Sequence, residues 1–174
     1  DRLIDTFHAA GKVELLNEYA QPFALLTIAD LLGVPEADHA AFVAHLSTQT
    51  PGAMAEDGAL GANPLEFLDS KFSRYIESRR EEPVGDVLSI LAESTYSDGE
   101  TPDVVELVRL ATFLFGAGQD TTARLITASF RLIAENPDLQ KQLREDRGLI
   151  PQFVEEALRL EGPVKSDFRL AKKT

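Results

Sequence analysis

Ala117-Gly118-Gln119-Asp120-Thr121-Thr122 interrupts a long apolar helical pattern with small residues, an acid and two hydroxyls. Around it, the spacing predicts one helix from Thr101 to about Glu135. Thr101 suits an N-cap and Pro102 the first helical position, while Asp103 and Glu106 put negative charge at the positive end of the helix dipole. From Val104 to Phe115 the pattern leaves almost no polar face, so the middle of this helix is expected to be buried on most sides and central to the fold. Gly116 and Gly118 then enter a helix interior, each costing about 1 kcal/mol relative to alanine. Something other than helix stability favours them.

Bare backbone at 116 and 118, with only a methyl at 117, lets a flat ligand lie against the helix. Thr121 follows Ala117 by four residues, so its hydroxyl can bond the Ala117 carbonyl and bend the helix. Asp120 and Thr121 then read as a buried acid and hydroxyl relay, suited to delivering protons to a reactive oxygen species in that groove. The plain alternative is a helix crossing at small residues, with Asp120 turned to water. A second constellation is Glu156-Ala157-Leu158-Arg159, on a helix predicted from about Ile150 to Leu160. Its spacing of three puts carboxylate and guanidinium on one face, able to pair and jointly reach a third group, with Glu155 competing at spacing four.

In their order and separation these two segments resemble the cytochrome P450 family of haem-thiolate monooxygenases. Ala117 to Thr122 matches the oxygen-activation motif of that family's long central helix at every position, and Glu156 with Arg159 matches its Glu-x-x-Arg helix. Ile28-Ala29-Asp30-Leu31-Leu32-Gly33-Val34-Pro35 is similar to the family's passage from an apolar helix into Leu-Leu-Gly-Val-Pro. Phe168-Arg169-Leu170-Ala171 is similar to the strand that follows the Glu-x-x-Arg helix. Only Gln49 to Asn63 lacks a recognisable counterpart. The resemblance implies an all-α (mainly α) fold: the helical core of the cytochrome P450 fold, truncated at both ends, with only short extended pieces. It also implies that 1–174 is a single helical domain of the soluble bacterial type, internal to a longer enzyme, with 49–63 a mobile loop over the substrate pocket and 101–135 the oxygen-activation helix. No cysteine occurs in the 174 residues. The family ligates haem iron through a cysteine well after the Glu-x-x-Arg helix, so that loop is expected to lie outside this chain.

Roles carry over by matching position. Asp120 and Thr121 are the implied catalytic pair, organising water and protons for dioxygen. Ala117 and Gly118 are expected over the haem face, and Arg169 is expected to pair with a haem propionate. Phe113 and Gly116 are expected to line the substrate pocket, with Pro163 and Val164 opposite. Glu156 and Arg159 are structural, tied in the family to an arginine that this chain does not include. The implied function is insertion of one oxygen atom of O2 into an apolar organic substrate, with haem b as cofactor and a ferredoxin-type electron donor. The isolated chain is expected to be inactive and, with surface left uncovered, prone to self-association. Two readings without redox chemistry stand beside this one: a helical module binding an apolar small molecule, and a helical interaction domain.

Composition bounds the remaining classes. A length of 174 residues with 44% hydrophobic content suffices for one helical core. A formal net charge of -12 argues against nucleic acid, which needs clustered lysine and arginine. No apolar run approaches a membrane span of about 18 residues, which favours a cytoplasmic location. His8, His39 and His45 are scattered without metal-ligand spacing, so no metal site is expected on these residues. Elsewhere the pattern predicts a helix tail over 1–10 closed by Gly11, a short extended Val13-Glu14-Leu15, and helices over 17–32, 36–48, 65–80, 86–93 and 138–146.

Overall fold

The computed structural model describes residues 2–47 and 64–171, so the loop expected over 49–63 lies outside the described residues. The described residues form eight α-helices: α1 (Arg2–His8), α2 (Gln21–Leu32), α3 (Glu36–Ser47), α4 (Pro64–Glu81), α5 (Val87–Ala92), α6 (Val104–Glu135), α7 (Pro137–Glu145) and α8 (Ile150–Glu161). Among them there is no strand, so the chain is all-α. The strand expected at 168–171 is not formed: Phe168 and Leu170 are about nine-tenths exposed, and among the described residues no extended partner stands beside them. The chain divides into two compact units, Pro22–Gln119, and Asp1–Gln21 together with Asp120–Thr174.

The unit Pro22–Gln119 has a core of its own. Phe42 on α3, Phe72 on α4 and Phe115 on α6 form a triangle of rings with centroids 6.1, 5.3 and 5.9 Å apart, and all three are almost wholly buried. Leu25, Ile76 and Leu88 close around them. Each such side chain removed from water contributes about 1.5–3 kcal/mol before the entropy of ordering is set against it. α2 ends as its sequence demands. Gly33 takes a φ of 97°, its N–H bonds to the Asp30 carbonyl, and the Val34 N–H bonds to Ala29, the paired bonds of a Schellman cap.

Gly33 is also where the chain runs tightest, because a Cβ there would fall 2.2 Å from Asp86 Oδ2. Asp86 caps α5 by accepting from the Ser89 N–H and hydroxyl, both at 2.7 Å, while Arg79 on α4 donates to its other oxygen at 2.9 Å. Arg79 Nη2 also donates to the Gly33 carbonyl at 3.2 Å, so one knot ties the ends of α2, α4 and α5. Burial alone would raise the Asp86 carboxyl. The Arg79 and Ser89 bonds outweigh it and hold the group below the usual carboxylate range. Between α3 and α4, Asp38 accepts from Lys71 Nζ and Tyr75 Oη, each at 2.6 Å. The Lys71 bond, then the Tyr75 bond, lower the Asp38 carboxyl, and burial followed by the Asp38 bond pushes the Tyr75 hydroxyl far up.

α6 begins at Val104 rather than at 101. The Asp103 carbonyl accepts from the Glu106 and Leu107 N–H groups, so Asp103 holds the cap position expected of Thr101. The Pro102 carbonyl is turned instead to Arg80 Nη2, which keeps the proline outside the helix.

The second unit is built differently. Of Val13-Glu14-Leu15, expected to be extended, Glu14 does have extended backbone angles but serves as a cap, and Leu15 already belongs to a helical turn: Glu14 accepts from the Leu16 and Asn17 N–H groups, and its own N–H donates to Glu18 Oε2 at 3.0 Å. This reciprocal cap opens a π-helical turn over Leu15–Ala20 that runs into α2. The Asn17 N–H bond is the largest influence holding the Glu14 carboxyl low. Phe7, Tyr19 and Phe130 meet edge to face at 5.9 and 6.5 Å. Pro137 sits in the first turn of α7, and a 3-10 turn at Arg147–Leu149 leads into α8. Arg131 on α6 reaches Glu161 on α8 at 2.8 Å. No helix among the described residues is long and apolar enough to cross a membrane.

Candidate oxygen-activation site

Of the motif, Ala117, Gly118 and Gln119 belong to the unit Pro22–Gln119, and Asp120, Thr121 and Thr122 to the other. On the Pro22–Gln119 side, α6 has two unlike faces. Leu107, Val108, Ala111 and Phe115 are buried in the phenylalanine core, whereas Leu110, Phe113, Gly116 and Ala117, at spacings of three and four, are exposed. Burial on most sides is therefore corrected to burial on one side. Phe113 is 67% exposed because no described residue covers its face.

The two glycines serve different ends. A Cβ at Gly116 would meet nothing within 4 Å, so this backbone lies open. A Cβ at Gly118 would press on Ile28 of α2 at 2.9 Å, so its missing side chain makes room for a helix crossing. The helix-crossing reading thus describes Gly118, and the open-groove reading describes Gly116. Ile28 was visible in the sequence only as part of an apolar helix; nothing there marked it as the partner of a glycine.

In the other unit, Asp120 is 58% exposed on its side chain rather than buried, and it accepts from Arg124 Nε at 2.8 Å. Pairs of this exposure and spacing contribute about 0.3–0.5 kcal/mol, so the bond orients the carboxylate more than it stabilises the fold. Thr121 is half-buried. Arg124 lies outside the motif and carries no sequence signal beyond its spacing of four from Asp120.

Glu156 and Arg159 form a two-pronged pair, Nε to Oε2 at 2.8 Å and Nη2 to Oε1 at 2.7 Å. The pair is solvent-exposed, and the Arg159 bond lowers the Glu156 carboxyl while the same bond raises the guanidinium. Arg159 chooses Glu156 over Glu155. Leu132, Leu139, Leu143, Phe153 and Leu160 line a mainly apolar groove of about 420 Å³, to which Glu156 and the amides of Asn136, Gln142 and Gln152 also contribute. Val164 and Arg169 lie in the irregular segment after α8, both well exposed, and Arg169 reaches Asp167 at 3.4 Å. Pro163 is half-buried. His39 bonds the Val34 carbonyl at 3.1 Å and His45 stacks on Phe67 at 4.4 Å, so both serve packing.

Comparison with known proteins bears on this arrangement. The family model for cytochrome P450 matches residues 50–168. Cytochrome P450 monooxygenase PikC of Streptomyces venezuelae is 35% identical over 168 residues, which cover 95% of this chain and 40% of that protein. Vitamin D(3) 25-hydroxylase of Pseudonocardia autotrophica is 36% identical over 166 residues, with coverage of 94% and 40%. Among solved structures, substrate-free Mycobacterium marinum cytochrome P450 CYP150A6 superposes with a TM-score of 0.81 at 53% sequence identity, covering 95% of this chain and 37% of that one. The chain spans 40–45% of the length of such curated relatives. A central helix carrying the complete motif, a paired Glu156 and Arg159 downstream, and a family match over more than half its length together place this chain in the cytochrome P450 family.

Proposed function

We propose that these residues form part of a haem-dependent monooxygenase that inserts one oxygen atom of O2 into an apolar organic substrate. The observation that carries this reading is the open face of α6, where Gly116 bears no side chain, Ala117 only a methyl, and a Cβ at 116 would touch nothing. A flat apolar group fits such a face, with Phe113 as an aromatic wall beside it. When bound, haem supplies the redox chemistry with dioxygen. Ala117 would lie against that group, whereas Gly118, assigned to it by the motif, gives its bare side to Ile28. Phe113 and Gly116 would bind the apolar substrate and exclude water, and Val164 is given a substrate-binding role on the family resemblance alone. Asp120 would take up a proton from solvent and donate it to the Thr121 hydroxyl oxygen as that hydroxyl gives its own proton to the reacting oxygen, so Thr121 stays neutral throughout. Arg169, which reaches Asp167 at only 3.4 Å, would hold a haem propionate, a carboxylate that its planar fork can grip with two parallel bonds.

Electrons come from a ferredoxin-type donor in the cytoplasm. No cysteine occurs in the 174 residues, so the iron's thiolate comes from elsewhere in the polypeptide, and the isolated chain is inactive. A redox-free binding module or interaction domain is not favoured by relatives named for monooxygenation and hydroxylation. The test compares reduced, carbon monoxide-treated protein in two forms. The full-length enzyme is expected to give a thiolate-type Soret band and the 174-residue chain none; such a band from the short chain overturns this assignment. Asp120→Asn in the full-length enzyme is expected to slow turnover by about 100-fold with haem content unchanged, and unaltered turnover sinks the proton relay.

A further inference from the structure

We propose that Arg124 is a positioning residue that gives the Asp120 carboxylate its resting direction; this rests on the monooxygenase reading above. Arg124 stands one helical turn after Asp120 on α6, and its Nε donates to Asp120 Oδ2 at 2.8 Å. Side chains on a helix lean toward its N-terminus, so an arginine four residues after an acid reaches back over it, the favourable order for such a pair. An aspartate left alone at this exposure would be shared among its rotamers. Arg124 selects one of them. The side chains are 58% and 63% exposed, so water screens the bond and it opens readily. That combination suits a relay: the carboxylate has a defined place to wait, and little holds it there when it must take up a proton or hand one on.

The sequence adds a reason to single out this residue. Asp120, Thr121 and Thr122 are accounted for by the motif, whereas Arg124 falls beyond it, a charged residue directly after buried Ala123. Its place on the helix is explained by the pair with Asp120.

The test uses the full-length holoenzyme and its Arg124→Gln, Arg124→Lys, Asp120→Asn and Asp120→Asn/Arg124→Gln variants. Arg124→Gln is expected to keep its haem content and substrate affinity, to lose about threefold to tenfold in kcat with KM unchanged, and to form less product per reducing equivalent. Arg124→Lys should restore most of that coupling. The double variant should be no worse than Asp120→Asn alone, because Arg124 acts only through that carboxylate. Independently of activity, crystals of the full-length enzyme should show Asp120 hydrogen-bonded to Arg124, and those of Arg124→Gln should show the carboxylate turned away from that direction. The proposal is overturned if Arg124→Gln turns over like wild type while Asp120→Asn does not. It is also overturned if the two losses multiply in the double variant, or if Asp120 keeps its direction without Arg124. Wild-type turnover in Asp120→Asn would instead remove the relay itself, and the role of Arg124 with it.

Discussion

Residues 22–119 and the unit formed by 1–21 with 120–174 bury their side chains in opposite ways. In the first, Phe42, Phe72, Ile76 and Leu88 are buried to within a few per cent; in the second, the buried residues among those described are Ala20, Ala123 and Ala157. Several large apolar side chains of the second unit, among them Phe130, Leu158 and Leu160, remain more than a third exposed, and others such as Phe7, Leu132 and Phe153 are only half-buried. Both halves carry amphipathic helices, so helix formation is not the difference. The first unit has helices enough to close a core on themselves, and the second presents its apolar stripes to a surface that the described residues do not cover. This contrast agrees with a chain that spans 40–45% of the length of its relatives.

The contrast can be broken by substitution. Phe72→Ala, at the centre of the ring triangle, is expected to cost about 3–5 kcal/mol by denaturant unfolding, and a loss below about 1 kcal/mol would mean that this core is not closed. Asp86→Ala should cost about 2–4 kcal/mol, since it removes the α5 cap and strands Arg79, whose side chain is 13% exposed. The same contact predicts a pH dependence. The folded carboxyl titrates below its unfolded value of about 3.9, so its contribution is complete above that pH and is lost as pH falls through the lower folded value. Asp86→Ala should therefore unfold with a flatter acid limb than wild type. Phe130→Ala, in the second unit, should cost no more than about 1 kcal/mol in this chain because the ring is 48% exposed. Smallest of all, Glu156→Ala should leave the thermal midpoint of the 174-residue chain unmoved despite its two short bonds, since both partners stand in water. A drop there comparable to that of Asp86→Ala would show that the second unit is better packed than its exposure implies.

Much of this was legible in the sequence, and the failures share a cause. The glycine and proline punctuation gave the helix ends to within a few residues: Gly33 closes α2, Asp86 caps α5 and Pro137 opens α7. The sequence misplaced the start of α6 because a good local cap at Thr101 lost to a tertiary bond, Arg80 to the Pro102 carbonyl. It left the helical turn that begins at Leu15 unmarked because Glu14 is an unusual cap, recognisable only with Glu18 set against it. The motif marked which residues make the candidate site, but it did not distinguish the roles of Gly116 and Gly118. That needed Ile28, distant in sequence and close in space. Nor does an apolar pattern say whether a face is covered by this chain or by another stretch of polypeptide, which is why Phe113 and Asp120 were expected to be buried.

The difference between Gly116 and Gly118 also divides what protein engineering can do to this helix. A side chain introduced at 116 grows outward into free space, so a graded series from alanine to valine to phenylalanine would reshape that wall in steps while the scaffold stays put. At 118 even one methyl must displace Ile28, and the perturbation passes into α2 and toward its tight end at Gly33. The first position acts as an adjustable fitting and the second as a bearing.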